Sequence, residues 1–389
     1  MRVVQVNFAY DRRLPSPSAL LDRYSTLTGW TESLAGAGAD VLTAQQFHHS
    51  ATCTRHGLQY RFGTWSEISR ATAAFAPDIV HINGLTFPLS TWWLRQVLPG
   101  STAIVVQDHA GGVPPDRHPV INAIRRRLMR TTDGFLFSVI EQAVPWRQRR
   151  FIAPDQEVHA VMEASTDVRP LPRESARAAT GLTGTPIVLW VGRLNANKDP
   201  LTVLSAFERF VTTVPGATLT MVYQETDLLE AVRARVQAAP ALRDRVRLVG
   251  EVAGSEITGF FSAADLFILG SHHEGSGYAM IEALACGAIP VVTAIPTFRA
   301  LTNEGAIGAL WPAGDADACA RALTDISNRD LAVERTRVLA HFRRELTWPA
   351  LGVRTIAIYG AISEARARRR SKRRRPSGKR HNADAPLDH

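Results

Sequence analysis

Two halves of this chain repeat one pattern, in which short β-branched runs alternate with longer stretches whose apolar residues recur at helical spacing. Parallel strands need a crossover between them, and the crossover helices cover both faces of the sheet. Strands so covered read as continuous apolar runs. In the first half residues 3–6, 40–43, 79–82, 103–107 and 134–138 read as strands, with helices expected over 20–35 and 65–75. In the second half 187–192, 218–223, 246–248, 266–269 and 289–292 read as strands, with helices over 200–213 and 228–238. The expected fold class is α/β, with two doubly wound, Rossmann-like domains.

A length of 389 residues agrees, since it exceeds what one hydrophobic core usually holds. The stretch 165–186, with RPLPRES and GLTGTP, has the Pro and Gly punctuation of a linker. The expected plan is a first domain over 1–165, a second over 166–347, a last helix over 348–365 packing back on the first domain, and a disordered basic tail over 366–389. The net charge is +9, but the tail carries ten Arg or Lys against two Asp, +8 in all, leaving +1 for residues 1–365. A general nucleic-acid surface is therefore not indicated. For the tail two readings stay open, a solvated appendage and a contact with a membrane surface or another polyanion. Three scattered cysteines and no apolar run of membrane-spanning length point to the cytoplasm, with peripheral contact at the inner face of the membrane as the variant.

Open parallel sheets bind ligands beyond the carboxyl ends of their strands, so two facing sheets place the expected site in the cleft between them. The most informative strand end is SHHEGSGYAMIEALACGAIPVV. Gly275 and Gly277 allow unusual backbone angles and clear space for a ligand. A helix expected over 278–286 then presents free N–H groups and the positive end of its dipole, a place for phosphate. Glu274 in the loop and Glu282 one turn into the helix flank that position. Carboxylates accept well from sugar hydroxyls.

This segment resembles the E-x7-E motif of the family-4 retaining glycosyltransferases, whose fold is GT-B. The resemblance implies a nucleotide diphosphate sugar as donor and no cofactor. It implies that Glu274 holds donor-sugar hydroxyls, that Glu282 holds the ribose, and that the backbone around Gly275, Ser276, Gly277 and Tyr278 holds the diphosphate. Ser276 stands where the family often has an aromatic residue. Upstream, GRLNANKDP is similar to the family's G-R-L-x-x-x-K-G segment and assigns Arg193 and Lys198 to the diphosphate; Asp199 replaces the last Gly and is expected to cap a helix starting at Pro200. Val252, in a segment similar to the one edging the nucleotide base, is the candidate for a backbone contact there.

The first half says less. VVQDHAGG places His109 at a strand end, where a neutral imidazole would serve a donor hydroxyl or a developing charge, and Asp108 would orient the ring or cap the loop. Glu274 and His109 are the candidate catalytic residues, with a structural histidine the alternative for His109. The family's glycine-rich loop after the first strand has no counterpart. Arg125, Arg126, Arg127, Arg147, Arg149 and Arg150 form either a basic face for an anionic or membrane-bound acceptor or ordinary solvated helices. Asp315-Ala316-Asp317 has the form of a metal-binding DxD, yet it precedes an apolar helical run, so capping is expected and no metal. The resulting expectation is transfer of a sugar, with retention, to a glycan, lipid-linked or small-molecule acceptor. The alternatives are a nucleotide-sugar epimerase or another GT-B enzyme, and a noncatalytic sugar-nucleotide or polyanion-binding protein.

Overall fold

The computed structural model describes residues 1–109, 112–114 and 117–374, the side chains of 372–374 excepted. Its first sheet comprises β1 (Arg2–Asn7), β2 (Asp40–Gln46), β3 (Ala51–Arg55), β4 (Leu58–Gly63), β5 (Ile79–Asn83), β6 (Ala103–Gln107), β7 (Gly134–Phe137) and β8 (Glu157–Ala160), in the order β3-β4-β2-β1-β5-β6-β7-β8. Every pairing is parallel except β3 with β4. The second sheet comprises β9 (Ile187–Arg193), β10 (Thr218–Gln224), β11 (Val246–Gly250), β12 (Leu266–Leu269), β13 (Ile289–Thr293) and β14 (Ala309–Trp311), in the order β11-β10-β9-β12-β13-β14, all parallel. Central strands are sealed on both faces: Val3, Val4, Ile79, Val80, Val188 and Leu189 are fully buried. The expected two doubly wound sheets are present.

Strand order reverses between β1 and β5 in the first sheet and between β9 and β12 in the second. Crossovers diverge from such a switch point and leave a crevice at the carboxyl ends. Asn7 and Asn83 end the first pair of strands. Arg193 ends β9, and the Glu274 loop follows β12. The candidate residues thus sit where topology opens each sheet.

Four expectations need correction. The hairpin β3–β4 is closed by His56 and Gly57, both with positive φ (50° and 79°), a two-residue loop matching strand twist; its alternating, half-exposed strands lack the apolar run that marks the others. The three-residue β14 is too short to register as a pattern. The helix expected over 20–35 breaks at Tyr24 into Pro17–Arg23 and Ser25–Gly36, since Tyr24 has non-helical angles (φ −111°, ψ 69°).

The largest correction concerns the tail. The last helix runs over Trp348–Arg374, so nine residues assigned to disorder, 366–374, are helical. Two of its arginines, expected in a disordered tail, answer a buried carboxylate. Asp133 accepts from Ile104 N–H (3.0 Å) and pairs with Arg366, while Arg369 lies 3.7 Å from it. Residues 375–389 lie outside the described residues.

This helix packs on the first domain, against Ser25–Gly36. Two glycines permit the crossing. A Cβ at Gly29 would stand 2.3 Å from the Trp348 ring, and one at Gly352 would stand 2.2 Å from Ser33 O. Fully buried His81 meets the Tyr359 hydroxyl, and burial pulls its pKa down to about 3, so it is a neutral core residue. The chain therefore passes between domains twice, and the passages touch where Ser165 Oγ donates to Leu346 O at 2.5 Å.

Candidate active site

The segment after β12 folds as expected. Gly277, at φ 71°, is the N-cap of helix Tyr278–Ala285, and a Cβ there would meet the Phe298 ring at 3.2 Å. Gly275 is not among the residues of positive φ, so only one of the two glycines is required by backbone angle. The helix is anchored by a buried apolar face, Met280, Ile281 and Leu284. The Glu282 side chain is largely buried, with no hydrogen-bond or ion-pair partner among the described residues, and burial raises its carboxyl above the ordinary value.

The segment after β9 is equally ordered. Asn195 accepts from Lys198 N–H (3.2 Å), and Asp199, at φ 42°, caps Pro200–Thr213 by accepting from Thr202 N–H (3.2 Å), as expected of it. The Asn197 side chain donates to His273 O and accepts from His273 N–H, each at 3.0 Å, which joins this loop to the one carrying Glu274. Lys198 Nζ is paired with Glu274 Oε1, and both side chains are nearly buried. Arg193 stays at the rim, 59% exposed, with Glu225 3.4 Å away.

Both segments open on a cavity of about 560 Å3. Its lining includes each of the ten residues singled out from sequence: His109, Arg193, Lys198, Val252, Glu274, Gly275, Ser276, Gly277, Tyr278 and Glu282. Nine come from the second domain. His109 alone comes from the first.

The first domain holds the loop from its own side. The Ser276 hydroxyl is buried and donates to Glu163, so this side chain faces the domain junction. Gln142 Nε2 donates to Gly275 O (3.2 Å), and Tyr278 shares a hydrogen bond with Thr26 (3.0 Å).

Glu163 is the residue that sequence reading missed. Only 3% of its side chain is exposed, Trp30 Nε1 donates to its backbone carbonyl (2.6 Å), and its Oε2 lies 3.0 Å from His109 Nδ1. The other ring nitrogen, Nε2, lies 2.8 Å from Asn83 Oδ1. Glu163 therefore faces the imidazole as an ion-pair partner from inside the domain. A signal existed: an acid inside the apolar run VHAVMEA is an ionisable group headed for burial, which proteins seldom allow without a partner.

A second cavity, of about 660 Å3, lies in the first domain and shares His109 and Tyr278 with the first. Tyr10, Tyr24, Leu85 and Phe87 give it an apolar wall, while Asn7, Asn83 and Gln45 place amides in it. No Lys or Arg lines it among the described residues.

Asp315 caps Ala316–Ser327 by accepting from Ala318 N–H (2.8 Å), and Asp317 pairs with Arg209 (3.2 Å), so the DxD-like triplet is engaged in structure. Among the described residues no helix is long and apolar enough to cross a membrane.

Residues 172–339 match the family described as glycosyl transferases group 1. The chain is 28% identical over 322 residues, 78% of its length and 79% of the relative's, to the GDP-mannose:cellobiosyl-diphosphopolyprenol alpha-mannosyltransferase of Xanthomonas campestris. It is 24% identical over 326 residues, 79% of both chains, to the phosphatidyl-myo-inositol mannosyltransferase of Mycobacterium leprae. Among solved structures, sucrose-phosphate synthase from Thermosynechococcus elongatus superposes with a TM-score of 0.67 at 19% identity, over 94% of this chain and 100% of that one, a likeness of fold. With two facing sheets and both donor-side segments in one cavity, the chain has a GT-B fold whose second domain, over residues 172–339, matches the glycosyl transferases group 1.

Proposed function

We propose that this glycosyltransferase moves a hexose from a nucleotide diphosphate sugar to an acceptor hydroxyl with retention of configuration. One observation carries the reading: Lys198, Glu274, Glu282 and the amino end of helix Tyr278–Ala285 converge on one cavity, which meets at His109 and Tyr278 a second cavity lined by no Lys or Arg among the described residues. The first suits a donor and the second an acceptor.

In this reading the free N–H groups at the start of the helix, with Lys198 and Arg193, receive the diphosphate and stabilise the charge that grows as the sugar leaves. Glu282 accepts from the ribose hydroxyls, and Val252 borders the base. Glu274 has one oxygen on Lys198 and directs the other at donor-sugar hydroxyls. His109, fixed between Glu163 and Asn83, stands at the junction of the cavities and positions the sugar. The proton of the attacking hydroxyl passes to an oxygen of the departing diphosphate, on the same face, so no protein base is assigned.

The Xanthomonas relative's name carries GDP-mannose and a diphosphopolyprenol acceptor, and these are the first donor and acceptor class to screen. Nucleotide release is measured with candidate donors, with and without acceptor, and the anomeric configuration of the product is read by NMR. Acceptor-dependent release that disappears in Glu274→Ala supports the reading. Full activity in Glu274→Ala overturns the site, an inverted product overturns retention, and conversion of the donor into an isomeric nucleotide sugar without nucleotide release points to an epimerase.

A further inference from the structure

The first domain carries a bulky apolar surface outside both cavities. In helix Pro88–Val97, Leu89, Trp93 and Val97 are 54%, 50% and 49% exposed. Spaced four residues apart, they form one stripe along the helix. The neighbouring helix Pro119–Met129, which packs against it, exposes Val120, Ile121 and Ile124 by 58%, 44% and 54%. Single exposed apolar residues are ordinary, whereas six large ones on two touching helices mark a surface that meets something.

The charge around it narrows the partner. From Arg117 to Arg130 the chain has five arginines and no acid. Arg125 and Arg126 stack over Phe151 at 5.8 and 5.4 Å, which ties them to the fold. Arg117 and Arg127 are exposed, with no ion pair among the described residues. We propose that this face docks on an anionic lipid bilayer, the apolar side chains entering the headgroup boundary and the free arginines meeting lipid phosphates.

A nucleic acid would use the arginines but has no need of the apolar stripe, and the core of a protein interface is depleted of charge. Bulky apolar residues with a tryptophan and arginines beside them match the boundary of an anionic membrane. Placement adds a consequence. The segment 84–87 walls the second cavity and leads directly into Pro88, so the docking helix is joined without a break to that cavity's wall.

The experiment is flotation of the full chain with phosphatidylcholine vesicles, and with vesicles of equal parts phosphatidylcholine and phosphatidylglycerol. Two variants accompany it, Leu89→Ser with Trp93→Ser and Val97→Ser, and Arg117→Glu with Arg127→Glu, both checked for an unchanged melting temperature. The parent is expected to float with the anionic vesicles only, and each variant to lose at least about tenfold in apparent affinity. A parent that ignores anionic vesicles overturns the proposal. So does a triple serine variant that floats like the parent, which would place the contact elsewhere, residues 375–389 included.

Discussion

The two cavities differ in how they are built. The one in the second domain is lined by opposite charges held close: Lys198 on Glu274 in near burial, Arg193 at the rim and Glu282 without a partner. The one in the first domain mixes rings and amides with the carboxylates of Asp11 and Asp108, and its shared wall is a histidine paired with Glu163. A site for a charged group needs dense charge and free N–H groups, and two short segments supply both. A site for a neutral, shape-defined group needs surfaces gathered from many places. The contrast teaches that one half of this molecule brings cations to its cavity, while the other lines its cavity with rings, amides and acids and with no Lys or Arg among the described residues.

The strongest way to break that contrast is to remove the charge. Lys198→Ala is expected to lower kcat/KM by about a thousandfold or more, since a cation beside a developing diphosphate contributes several kcal/mol. Because it leaves a nearly buried carboxylate unpaired, it also costs stability. Lys198→Ala combined with Glu274→Ala is expected to recover the melting temperature and no activity; recovered activity would make the pair purely structural.

At the junction, Glu163→Gln is expected to reduce kcat by about 10- to 100-fold with donor KM little changed, because it loosens a ring without removing a donor contact. Steady-state kinetics over a donor series test this, and an unchanged kcat would free His109 of its assigned role. Next in size, Arg193→Ala should raise donor KM by about tenfold and leave acceptor KM alone, while Tyr10→Ala should do the reverse. If Tyr10→Ala moves donor KM instead, the division between cavities is wrong.

The smallest effect concerns Glu282. Burial holds its carboxyl above the ordinary value, so the folded state takes up this proton more readily than the unfolded chain. Its contribution to stability is complete at low pH and is lost as pH rises through the folded value. Glu282→Gln, permanently neutral, should therefore melt higher than the parent at pH 7, with the gap closing as pH falls toward 4.5, while donor affinity drops a few-fold. A gap that widens on acidification would reverse the sign of the argument.

The same division explains what could be read in the chain. The charged cavity was legible because eight of its ten singled-out residues, all but His109 and Val252, lie in two contiguous segments whose turns, caps and helix start are local matters; Asp199 capping Pro200–Thr213 and Gly277 starting Tyr278–Ala285 follow from neighbours alone. The other cavity draws on positions from Asn7 to His109 and on Tyr278, brought together only by strand order. Glu163 shows the limit most clearly: its partners Ser276 and His109 stand 113 and 54 positions away, and no local rule pairs them. The hairpin β3–β4 had a local signal in His56-Gly57, less familiar than Asn-Gly. The ordering of Arg366 and Arg369 had none, because Asp133 is over 230 positions distant.

The last helix, by returning to the first domain, makes the second domain a long excursion of the chain with both its ends fastened to the same base. One connecting segment would act as a swivel. Two that touch, Ser165 against Leu346, tether the second domain to the first at one place. The excursion is fastened again partway along, where Tyr278 meets Thr26 and Ser276 meets Glu163, so the loop carrying Glu274 is tied to the same base as both passages of the chain.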